Sequence, residues 1–226
     1  MQHLHFQKIP STQIYLKDHL KEFSDHEVLI SCTEQSEGIG RTGNSWDFYP
    51  ESLAMSFLLT PHPIPTLTSI EIGLLSVLFF KQKFNQTLFL KWPNDLMTTG
   101  QNKCGGIISH YIDASNIVAG LGINFSPPTQ TYAYQASHIT TPDYVVDKKE
   151  LSLEIYNYIL KNRISFDDKI TNLFISHCAH LEQSVTMIDG DQTFQGLFRG
   201  IGPRGEALIE NNGMTKSFLS GSLLLK

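Results

Sequence analysis

The densest apolar run of the chain, residues 72–80, is interrupted only by Gly73 and Ser76 and soon meets Lys81. It falls short of the roughly 18 to 20 apolar residues that a membrane-spanning helix needs. It reads instead as the middle of a buried helix from about Ser69 to Phe84. Such a helix needs apolar cover, and the flanking segments supply a sheet. Residues 27–33, 52–60, 87–92, 104–112 and 116–125 read as strands, with turn chemistry at Gly100-Gln101-Asn102. Residues 3–9 alternate weakly as a further strand, which Pro10 stops.

Ser11 or Thr12 can then cap a helix running to about Phe23, with Ile14, Leu16, Leu20 and Phe23 on its apolar side. Pro61, Pro63 and Pro65 make the turn before the long helix. Pro127 and Pro128 open an irregular segment, and helices at about 148–163 and 166–180 follow. From Ser184 the texture changes to short strands separated by Asp189-Gly190-Asp191, Pro203-Arg204-Gly205 and Asn211-Asn212-Gly213. Asn-Gly is a strong hairpin signal, and tight turns at this spacing suggest a small β-barrel. The expected organisation is a mixed α+β unit over residues 1–181 and a barrel over residues 182–226.

Composition narrows the function classes. Of 226 residues 41% are hydrophobic and 17% charged, which excludes wholesale disorder. The net charge of -5 argues against broad nucleic-acid binding through phosphates. No N-terminal segment has the pattern of a secretory leader. Cys32, Cys104 and Cys178 are odd in number and far apart, which suggests a reduced, cytoplasmic setting.

Four stretches carry chemistry. Residues 35–46 hold Gly38, Gly40 and Gly43 around Arg41 and end at Trp46. Glycines let backbone amides approach an anion, and Arg41 adds a fork of donors; the stretch also reads as a surface loop. Lys91-Trp92-Pro93-Asn94-Asp95 packs a cation, an aromatic, an amide and a carboxylate at a strand end, where Pro93 should break the ladder. It also reads as a plain turn. Lys103 precedes Cys104-Gly105-Gly106, where two glycines weaken a strand unless something approaches its backbone; a bulge reads as well. Gly120-Leu121-Gly122-Ile123-Asn124 is a small-residue strand ending in an amide.

Together and in this order, these stretches resemble the biotin protein ligase family. Residues 38–46 resemble its GRGRxGxxW loop, residues 91–95 match its KWPND motif letter for letter, and residues 103–107 resemble its lysine strand. Residues 120–124 resemble GIGIN, residues 10–13 the start of the first helix, and residues 199–208 the RGID hairpin of the C-terminal barrel. The resemblance implies a class II synthetase-like biotin/lipoyl ligase domain with a small SH3-like barrel. The implied activity forms biotinyl-AMP from biotin and ATP, with Mg²⁺ on the phosphates. The biotinyl group then passes to a lysine of a biotin carboxyl carrier protein domain.

In that scheme Arg41, Lys91, Lys103 and Asp95 form the catalytic set, with Asp95 as base. Ser11, Thr12, Gln13, Gln35, Gly38, Ile39, Gly40, Arg41, Trp46, Lys103, Gly105 and Gly106 are implied on the biotin side. Arg41, Trp46, Lys91, Asn94, Asn124 and Ala136 are implied on the nucleotide side. The metal ligands are left open. Two positions depart from the pattern: Ile39 stands where an Arg is usual, and Asn44 where a basic residue is frequent. The chain starts at the catalytic unit without the helix-turn-helix of the repressor members, so no DNA partner and no membrane are expected, in a monomer or homodimer. The rivals are a lipoate ligase or octanoyl transferase, and a non-catalytic biotin sensor.

Overall fold

The computed structural model describes residues 1–24, 27–46, 51–127, 136–139, 147–164 and 167–225. Strand β1 (Gln2–Ile9) leads through helix α1 (Thr12–Asp18) to β2 (Val28–Gln35). The short strands β3 (Gly38–Ile39) and β4 (Ser45–Trp46) pair as a small hairpin. Then come β5 (Ser52–Leu59), α2 (Thr68–Phe84), β6 (Phe89–Lys91), β7 (Asp95–Met97), β8 (Lys103–Tyr111) and β9 (Ile117–Asn124). Helices α3 (Lys148–Lys161) and α4 (Asp167–Ser176) follow. The C-terminal strands are β10 (Ser184–Asp189), β11 (Gln192–Ile201), β12 (Ala207–Asn211), β13 (Met214–Phe218) and β14 (Ser222–Leu225).

Seven strands form one sheet in the order β1-β2-β5-β9-β8-β7-β6, parallel at β1–β2 and antiparallel elsewhere. Five form a second sheet, β13-β12-β11-β10-β14. Side chains of a strand alternate between faces, and the sheet uses this fully. On β5, Leu53, Met55, Phe57 and Leu59 enter the main apolar cluster with α2 and α3, while Ser52, Ala54 and Ser56 face the other way. On β9, Ile117, Ala119, Leu121 and Ile123 join the cluster, and Gly120 and Gly122 leave bare backbone opposite.

The apolar cluster runs without a break across residue 182, taking in Phe174, Val185, Met187, Phe198 and Ile209. The second sheet is thus packed on the first unit. The buried Trp92 donates its Nε1–H to the Gly205 carbonyl at 2.9 Å, and Thr66 donates to the Arg204 carbonyl at 2.6 Å.

Three elements differ from the sequence reading. Helix α1 ends at Asp18, and Leu20–Glu22 form a separate 3₁₀ turn. Leu20 and Phe23 still pack on the cluster of Leu16, Val28 and Ile30. The turn keeps the apolar contact that a longer helix was expected to make. Helix α4 stops at Ser176 because residues 177–179 serve as edge cover: Leu90 donates to the His177 carbonyl at 2.7 Å, and Ala179 donates to the Leu90 carbonyl at 2.8 Å. This satisfies the outer edge of β6. Strand β7 was not foreseen; Asp95–Met97 pairs with both β6 and β8. Pro128 and most of the expected irregular segment lie outside the described residues, as does the start of the helix expected at 166.

Candidate active site

A cavity of about 1190 Å³ opens on the small-residue face of the sheet. Its floor is Ala54, Ser56, Gly106, Gly120 and Gly122; α1 forms one side, the 38–46 loop its cover, and the β6–β7 hairpin the far wall. Two of the floor glycines, Gly120 and Gly122, are required by close approach. A Cβ on Gly122 would stand 2.7 Å from Trp46 Cε2, and one on Gly120 would stand 2.7 Å from Gln13 Oε1.

The polar end is built on α1. Ser11 caps the helix by accepting from Ile14 N. The next residue, Thr12, donates its backbone N–H to Gln35 Oε1 at 2.9 Å, and its hydroxyl lies 2.9 Å from Ser56 Oγ. Gln13 Nε2 donates to the Val118 carbonyl at 3.0 Å, leaving its Oε1 buried without a partner among the described residues. Trp46 Nε1 is in the same position. Buried polar atoms of this kind call for a ligand or water.

The charged end is the β6–β7 hairpin. Pairing of Lys91 with Asp95 across the turn brings their side chains together, Nζ to Oδ2 at 3.1 Å. Lys103 reaches the other carboxylate oxygen at 2.6 Å. It does so through a β-bulge: the β7–β8 register shifts between Leu96 and Met97, placing Cys104 as an extra residue. The extra residue reverses the alternation, so Lys103 joins the face of Gly106 rather than that of Ile107. The third stretch is therefore both a bulge and a strand that lines the cavity through Lys103 and Gly106.

Lys103 Nζ lies 5.5 Å from the Trp46 ring centroid, a cation–π distance. Burial pushes the Asp95 carboxyl up, but Lys103 and Lys91 together outweigh it and hold the pKa below the ordinary carboxylate range. Arg41 donates to Asn94 Oδ1 at 3.2 Å and to the Gly221 carbonyl at 3.3 Å. Burial lowers the Arg41 pKa and Asp95 opposes that; a guanidinium remains charged regardless.

Of the residues singled out in the sequence, Ser11, Thr12, Gln13, Gln35, Ile39, Gly40, Arg41, Trp46, Lys91, Asn94, Asp95, Lys103 and Gly106 line this one cavity. Gly38, Gly105, Asn124 and Ala136 stand outside its lining. Gly38 packs under Trp46, and Gly105 faces Leu96 and the Gly122 carbonyl. Asn124 is buried between Ser52 and the Ser137 carbonyl, and Ala136 bridges Lys103 through backbone. Trp92 borders the same cavity while donating its Nε1–H to the Gly205 carbonyl, so it also ties the hairpin to the second sheet. Gly120 and Gly122 of the fourth stretch also line the cavity, whereas the sequence reading missed Ser56 and Ile108, as well as the C-terminal segments 188–190 and 220–225. The alternation of small residues at 52, 54 and 56 against bulky ones between them was the available signal for the floor. The C-terminal contribution has no local signal.

The description "Biotin/lipoate A/B protein ligase family" matches residues 4–124, and "Biotin protein ligase C terminal domain" matches residues 180–225. The bifunctional ligase/repressor BirA of Salmonella typhimurium is 26% identical over 234 residues, covering 96% of this chain and 72% of that protein. The biotin protein ligase of Aquifex aeolicus, solved with biotin and ATP, superposes with a TM-score of 0.81 at 24% identity, covering 100% of this chain and 98% of the other. The biotin acetyl coenzyme A carboxylase synthetase of Helicobacter pylori, solved with biotinylated ATP, gives 0.70 at 23% identity, covering 96% and 99%.

Proposed function

The chain belongs to the biotin/lipoate A/B protein ligase family, and from that premise we propose that it is a biotin protein ligase acting on a biotin carboxyl carrier protein domain. The observation that carries this reading is the meeting of Arg41, Lys91, Asp95 and Lys103 in one cavity above a floor of bare backbone.

In the first step a biotin carboxylate oxygen bonds to the α-phosphorus of ATP, and the bond to pyrophosphate breaks. Two anions must approach, so cations set the barrier. Lys103 and Lys91 wait paired to Asp95, and Arg41 waits on neutral acceptors. An arriving carboxylate or phosphate draws on all three. The unpartnered Gln13 Oε1, with Ser11, Thr12 and Gln35, suits the ureido end, and Trp46 covers the apolar body. Asn94 serves the nucleotide, while Asn124 and Ala136 act from behind by holding the Lys103 strand and its neighbours.

Mg²⁺ fits as a passenger on the ATP phosphates. Among the described residues no group of three or more His, Cys, Asp or Glu is placed to hold a metal.

In the second step the acceptor amine bonds to the biotinyl carbonyl carbon, and the bond to AMP oxygen breaks. The ammonium must first lose a proton, because its ordinary pKa is about 10.4. With both lysines on it, Asp95 is a weak base. Once the adenylate has drawn Lys103 toward its own charge, the Asp95 pKa rises and the carboxylate can accept that proton. All three cysteines are free thiols, in keeping with a cytoplasmic setting.

The test is biotin-stimulated exchange of pyrophosphate into ATP, followed by transfer to a carrier domain. Exchange stimulated by lipoate or octanoate but not biotin overturns the reading, and biotin binding without exchange makes the protein a sensor.

A further inference from the structure

The second sheet contributes more than a wall. Among the described residues two carboxylates line the cavity, Asp95 and Asp189. Asp95 is held between two lysines. Asp189, at the exposed end of β10, accepts a hydrogen bond from Ser220 at 3.3 Å and makes no ion pair among the described residues. Ser220 adjoins Gly221, whose carbonyl holds Arg41. Asp189 therefore stands at the barrel-side rim, one link from the loop that covers the cavity.

The second half-reaction sets a charge problem that the rest of the site makes worse. Arg41, Lys91 and Lys103 against Asp95 leave the interior positive, which suits anions and repels an incoming ammonium. We propose that Asp189 is the binding residue for the acceptor lysine's ammonium, holding the cation at the rim until it loses its proton. This rests on the ligase reading above. The ammonium hydrogen-bonds to Asp189 and gives one proton to Asp95 or solvent. The neutral amine bonds to the biotinyl carbon, AMP leaves with the C–O electron pair, and a second proton departs as the amide forms. Asp189 takes no proton in this sequence.

The experiment preloads wild-type enzyme, Asp189→Asn and Asp189→Glu with biotinyl-AMP. Each is then reacted at pH 8 with Nα-acetyl-lysine amide, a cationic amine, and with hydroxylamine, a neutral nucleophile. Asp189→Asn is expected to slow the lysine derivative by about three- to tenfold at low salt, a deficit that shrinks as salt rises. It should leave hydroxylamine unchanged, and Asp189→Glu should restore the wild-type ratio. Equal slowing of both nucleophiles, or none of either, overturns the proposal. So does a loss of biotin-stimulated pyrophosphate exchange in Asp189→Asn, which would assign the carboxylate to the nucleotide or its Mg²⁺. If wild-type enzyme forms no biotinyl-AMP at all, the ligase reading itself has failed, and that outcome precedes any comparison of nucleophiles.

Discussion

The two faces of β5 and β9 are made by alternate residues of the same strands, yet they do opposite things. One face fills space: Leu53, Phe57, Ile117 and Ile123 are all buried against α2 and α3. The other empties it: Ser56, Gly120 and Gly122 leave room for Gln13, Trp46 and a ligand. A close-packed face is paid for in stability when altered, whereas a vacant face should be sensitive in rate. Period-two alternation thus lets one sheet be scaffold and active site at once.

The sharpest break in this contrast is on the vacant face. Lys103→Ala should cut biotin-stimulated pyrophosphate exchange about 100- to 1000-fold with little change in melting temperature. A large loss of stability instead would make Lys103 a packing residue. Asp95→Asn should slow single-turnover transfer from preformed adenylate on the order of 100-fold while sparing biotin binding, and a wild-type transfer rate would end its role as base.

Neighbouring residues then give the direct comparison. Gly122→Ala pushes a methyl toward Trp46 and should cost about 10- to 100-fold in exchange. Ile123→Ala, one residue on, should cost about 2–5 kcal/mol in chemical denaturation with the KM for biotin unchanged. Reversal of that pattern would dissolve the distinction between the faces.

The smallest effect concerns His180, buried against Phe198 behind the hairpin. Burial, with Lys91 adding to it and Asp95 opposing, pushes its pKa down from 6.5 to about 3. Its folded value lies below its unfolded one, so the unfolded chain binds the extra proton. The contribution is complete above pH 6.5 and is lost progressively as pH falls toward 3. The slope approaches about 1.4 kcal/mol per pH unit. Melting temperatures of His180→Phe across this range should fall less steeply than those of the wild type; parallel curves would remove His180 from the acid response.

Much of this was legible in the sequence because it is local. Strand alternation, the cap at Ser11 and the turns at Asn211-Asn212-Gly213 follow from neighbouring residues. The Lys91–Asp95 pair was also legible, since a turn brings residues four apart together. The route by which Lys103 joins them was not, because it depends on a bulge in the register with β7, a strand too short to show periodicity. The barrel's share of the cavity was hidden for a different reason. Gly221 meets Arg41, and Asp189 reaches the cavity rim, only through the packing of two sheets, and Trp92, which bonds across that packing, reads in the sequence as one letter of a catalytic motif.

The chain has two tryptophans, and their placement makes the protein its own spectroscopic instrument. Trp46 lies under the glycine loop beside Lys103, so its emission should respond to ligand. Trp92 is buried at the seam between the sheets, bonded to Gly205, so its emission should change most when the barrel detaches. Comparing Trp46→Phe and Trp92→Phe proteins would then weigh site occupancy against barrel docking by fluorescence, without any attached dye.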